Sequence, residues 1–210
     1  MKREVKSCSI KAMGYSHFKK IKTVVKQFNL ELQSSFLFNG VQNVEPSAWL
    51  IETLGKTNVN LLTSEKAKSE RIISPILTEI FQSYQTKISF FSGESIDVKP
   101  EENLSGPCDF FFSLQPPKPY IEAPIISLAE AKDEDMEWGL AQCAAQMYGA
   151  TLFNEMEGKD IPFIYGCATD GIEWHFMKLE NNVYSLDNKI YTDLKEILGV
   201  WHYVIKLFLV

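Results

Sequence analysis

The stretch APIISLAEAK, residues 123–132, decides how this chain is read. A continuous apolar run of this length fits a strand covered on both faces. Side chains two apart on a strand share a face, so Glu130 and Lys132 project together while Ala131 points away. An acid and an ammonium at the end of an apolar strand are costly to bury without partners. Asp109, in the preceding CDFFFSL segment (residues 108–114), supplies a second acid if the two strand ends are adjacent. Two carboxylates beside an open space suit Mg²⁺ or Mn²⁺, since a hard cation takes a few carboxylate oxygens and keeps several waters. Such an ion would stabilise charge on a scissile phosphate and generate hydroxide from bound water. Lys132 is then placed to orient that water or assist its deprotonation. Taken alone, Glu-x-Lys reads far more often as a structural ion pair on a strand; the apolar strand, the preceding acid and the acid-bearing first helix turn that reading toward a site.

Working outward, the segments on either side alternate between strand and helix patterns. KISFFSG (87–93) and CDFFFSL read as strands separated by a polar loop, and PFIYGCATD (162–170) and IEWHFMKLE (172–180) as a hairpin turning at Asp170-Gly171. Met136 to Phe153 returns to helical spacing, with Leu140, Cys143, Ala144, Met147 and Tyr148 inward. Before the strands, SEKAKSERIISPILTEIFQSYQ (64–85) forms the strongest helix, capped by Ser64 and carrying the stripe Ile72, Ile73, Ile76, Leu77, Ile80 and Phe81. Pro75 costs about 3 kcal/mol inside a helix unless the helix bends or restarts there. Glu65 and Glu70, seven residues before Ile72 and Leu77, point to the packed side.

Both termini read as helical additions. Tyr15 to Leu32 has the spacing of an amphipathic helix, with Phe18, Ile21, Val24, Val25 and Phe28 on one side and Lys19, Lys20, Lys22 and Lys26 mostly on the other. A short helix follows Glu45-Pro46-Ser47 and ends near Gly55. Gly55-Lys56-Thr57 is not the end of a phosphate-binding loop, because Leu50 stands where that loop needs glycine. Thr192 to Val210 closes the chain. Its apolar end (Leu207, Phe208, Leu209, Val210) is expected to cover the sheet or to form an isologous dimer contact. Together these elements predict one domain over 1–210: a basic helical arm (1–60), an α/β core (61–180) and a C-terminal strand and helix (181–210).

Composition narrows the function classes. No stretch approaches the twenty or so apolar residues that span a bilayer, and the basic start has no apolar core of a signal peptide. The four cysteines form no CxxC pair and the three histidines no HxxxH cluster, against zinc ribbons and most zinc hydrolases. Unpaired cysteines suit reduced thiols in a cytoplasmic compartment. Net charge is −6, but residues 1–30 hold eight Lys/Arg against one acid, which leaves −13 on the rest. A basic arm on an acidic body is compatible with a nucleic-acid enzyme, although such a body disfavours strong unaided DNA binding.

GPCDF (106–110), ISLAEAK (126–132) and a following helix with Gln142 resemble the core of the PD-(D/E)XK nuclease superfamily, the restriction endonuclease-like fold. SEKAKSERIISPIL (64–77) resembles the opening helix of the nuclease domain in type I restriction motor subunits. YGCATDGIEW (165–174) is similar to a hairpin of stand-alone bacterial members. The resemblance covers roughly Pro46 to Leu198. It implies a fold of helix, three-stranded meander, crossover helix and further strand, and hydrolysis of DNA by a metal-activated water. It also implies metal binding by Asp109 and Glu130, the Ala131 carbonyl as a third ligand, Lys132 on the water, and Glu65 or Glu70 completing the site. Gln142 resembles a helix Gln that contacts the site or the DNA. Two departures stand out: Cys108 breaks the Pro-Asp pair, and Gln146 occupies the place of an expected Tyr. The alternatives are a catalytically silent DNA-binding or assembly subunit, working with a separate helicase or modification subunit, and a structural domain with a buried ion-pair network.

Overall fold

The computed structural model describes residues 14–57, 62–132 and 135–209. Seven strands form one mixed sheet in the order β1-β7-β6-β5-β4-β3-β2. In its interior β4 (Ile125–Ala131) is buried at every position, as its apolar run requires. On one side β4 pairs antiparallel with β3 (Phe110–Ser113), which pairs antiparallel with β2 (Ser89–Ser92). On the other it pairs parallel with β5 (Phe163–Thr169), and the connection is α5 (Met136–Met156). A parallel pair needs a crossover of this kind, whereas β5 and β6 (Trp174–Glu180) need only a tight turn. There Gly171 has φ +89°, and Asp170 accepts from the N–H groups of Ile172 and Glu173.

Helices cover both faces, and the pleat divides the side chains between them. In β3, Phe110 and Phe112 join a cluster under α4 (Ser74–Tyr84) and α6 (Leu194–Leu207), while Phe111 joins one under α5 and α1 (Ile21–Gln27). The long helix runs through Pro75 by widening just before it. A short α3 (Glu65–Lys68), capped by Ser64, passes into a π-helical segment over Ser69–Ile73 and directly on into α4, with Pro75 in the first turn after the widening. Ser47 caps α2 (Ala48–Gly55), and Lys56 at its end is ion-paired with Glu52. Among the described residues no helix is long and apolar enough to cross a membrane.

Two sequence expectations are corrected at the sheet's far edge. The Tyr15–Leu32 helix is three pieces: a 3-10 turn (Tyr15–His17), α1, and then β1 (Glu31–Ser35). β1 pairs parallel with β7 (Val183–Tyr191), so the N-terminal segment belongs to the sheet and is not a purely helical arm. Asn29, at φ +52°, breaks the helix, and β1's exposed side chains carry no alternation to mark it as a strand. β7 is the C-terminal strand expected within 181–210, and it follows the β5–β6 hairpin directly. Leu207, Phe208 and Leu209 pack against the α4/α6 cluster, with the Phe208 ring 5.1 Å from that of Phe163, so the apolar end covers the sheet. Val210 lies outside the described residues.

The α5–β5 interface is tight enough to test by overpacking. A Cβ at Gly166 would intrude on Met147 Sδ and Cys143 Sγ, two atoms inside the buried cluster. Gly166→Ala is expected to destabilise the protein by roughly 1–3 kcal/mol, read as a lower midpoint in chemical denaturation with an unchanged slope.

Candidate active site

The register of β3 against β4 assembles the site. Phe110 stands opposite Ala129, so Asp109, one residue before β3, stands opposite Glu130 on the same face of the sheet. Lys132 N–H donates to Thr169 O at 2.8 Å, toward β5. Alternate residues of a strand turn their backbone groups to opposite sides, so Ala131 turns toward β3. There its N–H donates to Asp109 Oδ2 at 2.8 Å, and its carbonyl faces the same side. The strand end and the residue before β3 thus lock one carboxylate in place.

Glu130 is 1% exposed, and its Oε2 accepts from Gln146 Nε2 of α5 at 2.8 Å. Burial pushes its carboxyl well above the usual range, and the neighbouring Asp109 pushes it further. Asp109 is also raised, by burial first and then by Glu65, against the lowering effect of the Ala131 N–H and of Lys132. Two carboxyls this near each other resist ionising together. Lys132 Nζ stands 3.6 Å from Glu65 Oε2 and 4.3 Å from the centre of the Trp138 ring. Lys19 Nζ lies 5.0 Å from the same ring centre. Three carboxylates against the one Lys132 ammonium leave a surplus of two negative charges when all are ionised.

Asp109, Ala131, Glu65 and Glu70 line one cavity of about 310 Å³ at the end of β4, together with residues of the π-helical segment and the β2–β3 connection. The structure therefore brings together Asp109, Glu130, Lys132, Ala131 and Glu65. Glu70 is on the cavity wall but turns to Lys66, 3.6 Å away, and is largely exposed. Gln142 makes no contact with the carboxylates and lines a neighbouring cleft.

Gln146 and Trp138 are site residues that the sequence did not mark. Gln146, read as a departure from an expected Tyr, is the direct partner of Glu130. Its signal was the four-residue step from Gln142, which puts both amides on one face of α5. Trp138 had a weaker signal: an aromatic in the first turn of the helix that follows Lys132.

The donor set fits a divalent cation of the Mg²⁺ kind. All the available groups are oxygens, and the buried carboxyls hold protons that a cation can replace. Among the described residues no three His, Cys, Asp or Glu side chains converge as they stand to hold an ion. The set is thus two carboxylates and a carbonyl, with the rest of the shell left to water.

No protein-family model matches the chain. It is 27% identical over 154 residues to Crinkler effector protein 1 of Rhizophagus irregularis, a match that covers 65% of this chain and 30% of that protein. The chain therefore spans about a third of the length of this curated relative.

Proposed function

We propose that this chain is a PD-(D/E)XK-type nuclease that hydrolyses DNA phosphodiester bonds with water as the nucleophile. The observation that carries the reading is the cross-strand pair of Asp109, on the cavity wall, with the buried Glu130 behind it, both raised in pKa and close to Lys132. The order of helix, antiparallel meander, crossover helix and parallel strand supports the restriction endonuclease-like assignment. Asp109, Glu130 and the Ala131 carbonyl hold the cation. Once bound, Mg²⁺ or Mn²⁺ supplies charge neutralisation at the phosphate and acidifies water. Gln146 fixes the rotamer of Glu130 by donating to Oε2, which leaves Oε1 for the cation. Lys132, held between Glu65 and the Trp138 face, orients the attacking water and takes part in moving its proton at Nζ.

The second reading is a catalytically silent DNA-binding or assembly subunit, and the acidic body favours it, because a surplus of acids weakens unaided binding to a polyanion. A separate helicase or modification subunit would then deliver the DNA. The deciding experiment incubates the wild-type chain with single- and double-stranded DNA and with RNA, in Mg²⁺, in Mn²⁺ and in EDTA. Cleavage of DNA that requires the cation is expected. Calorimetry that finds neither ion bound, with every substrate intact, would reject the nuclease reading and leave the silent subunit.

A further inference from the structure

One face of α5 carries Gly139, Gln142 and Gln146 in successive turns. A Cβ at Gly139 would press on Lys132 Cβ, and Gln146 binds Glu130, so Gln142 lies between two contacts to the proposed active site. Gln142 is only 9% exposed, and its amide oxygen has no hydrogen-bond partner among the described residues. Buried amide oxygens are rarely left without a partner, so this one marks a place that another molecule can complete.

Its side chain lines a cleft of about 440 Å³, of a size that holds small ligands. Three loops build that cleft. Tyr15 and Ser16 form one wall, Ser95 and Asp97 a second, and Ser105 to Pro107 a third, which leads two residues later to Asp109. The walls are fixed: Tyr15 OH donates to Ile96 O at 2.7 Å, Tyr15 N–H to Ser105 O at 3.1 Å, and Gly106 N–H to Asp97 Oδ1 at 2.7 Å. At Gly14 (φ +64°) any side chain would collide with the Ser105 carbonyl, so this glycine is what lets the first wall close on the third. Beyond that wall the same segment delivers Lys19 to the Trp138 ring, which Lys132 also meets.

We propose that this cleft receives one unpaired nucleobase of the substrate, next to the phosphate that is cut. The proposal rests on the nuclease reading and deepens it to a substrate class: single-stranded nucleic acid, or a duplex with one base turned out. An amide, a carboxylate and hydroxyls are the groups that pair with the donor and acceptor edge of a base. A base still stacked within a duplex cannot present that edge to a cleft lined by loops.

The test measures binding by anisotropy of a labelled single strand and of the same strand with abasic sugars, with Ca²⁺ replacing Mg²⁺. Removing the bases is expected to weaken binding to the wild type on the order of tenfold. Gln142→Leu should show the same weak binding to both strands, because base and amide act through one contact. Ser95→Phe, an exposed change that fills the cleft from its rim, should reproduce this without touching the core. Equal wild-type affinity for the two strands, or no binding of either, overturns the proposal. Base-dependent binding without cleavage under any condition sinks the nuclease reading alone. Base-independent binding with cleavage intact sinks the cleft alone.

Discussion

Lys132→Met is expected to slow cleavage on the order of 10²- to 10⁴-fold while binding of Mg²⁺ or Mn²⁺ survives. The methionine keeps the stem that lies beside Gly139 but removes the ammonium over Trp138, the group proposed to act on water. Asp109→Asn should be at least as damaging to turnover and should also weaken the cation, because it removes a charged ligand while retaining an acceptor for the Ala131 N–H. Calorimetric metal titration separates the two variants even when neither cuts. Equal loss of metal affinity in both would place Lys132 in a structural role. Full activity in Lys132→Met would remove it from the chemistry.

Glu130→Gln is expected to stabilise the metal-free protein at neutral pH by roughly 1–3 kcal/mol. The sign follows from the direction of the shifts. Both carboxyls have folded pKa values above their unfolded ones, so the native state holds extra protons between those limits. That contribution is present below the ordinary carboxylate range and is lost as pH rises through the raised folded values. Metal-free wild type should therefore lose stability across this window, and Glu130→Gln should flatten the loss while keeping an acceptor for Gln146. Adding Mg²⁺ should restore stability to the wild type alone and release protons as it does so. A Glu130→Gln variant several kcal/mol less stable than wild type in EDTA would instead identify the cluster as a structural ion pair.

The centre of the molecule was legible because its physics is local. An uninterrupted apolar run can only be a doubly covered strand here, and the period of two places Glu130 and Lys132 together. The hairpin at Asp170-Gly171 and the caps at Ser47 and Ser64 follow from residue chemistry in the same way. What escaped the sequence depends on distant partners. β1 is a strand only because β7 offers it a ladder, and its exposed residues leave no pattern. Gln146 gains its role from Glu130, sixteen residues earlier and across a crossover. Glu65 and Glu70 looked equivalent on helical spacing. The π-helical turn between α3 and α4 breaks that spacing, so that Glu65 meets Lys132 while Glu70 meets Lys66.

The parallel pairing of β1 with β7 joins residues 152 positions apart, as in the bond from Gln33 to Ser185. On a ribosome the early segment must wait for that ladder, since its partner is made 152 residues later. Closing so long a loop is slow, although its entropy grows only with the logarithm of length. The strands from β2 to β6, with α5, have their contacts sooner, so the two carboxylates meet before the edge is sealed. The segment that carries Lys19 and the Tyr15 wall is then anchored last. Assembly in this order leaves the Tyr15 wall and Lys19 unanchored until β7 has emerged.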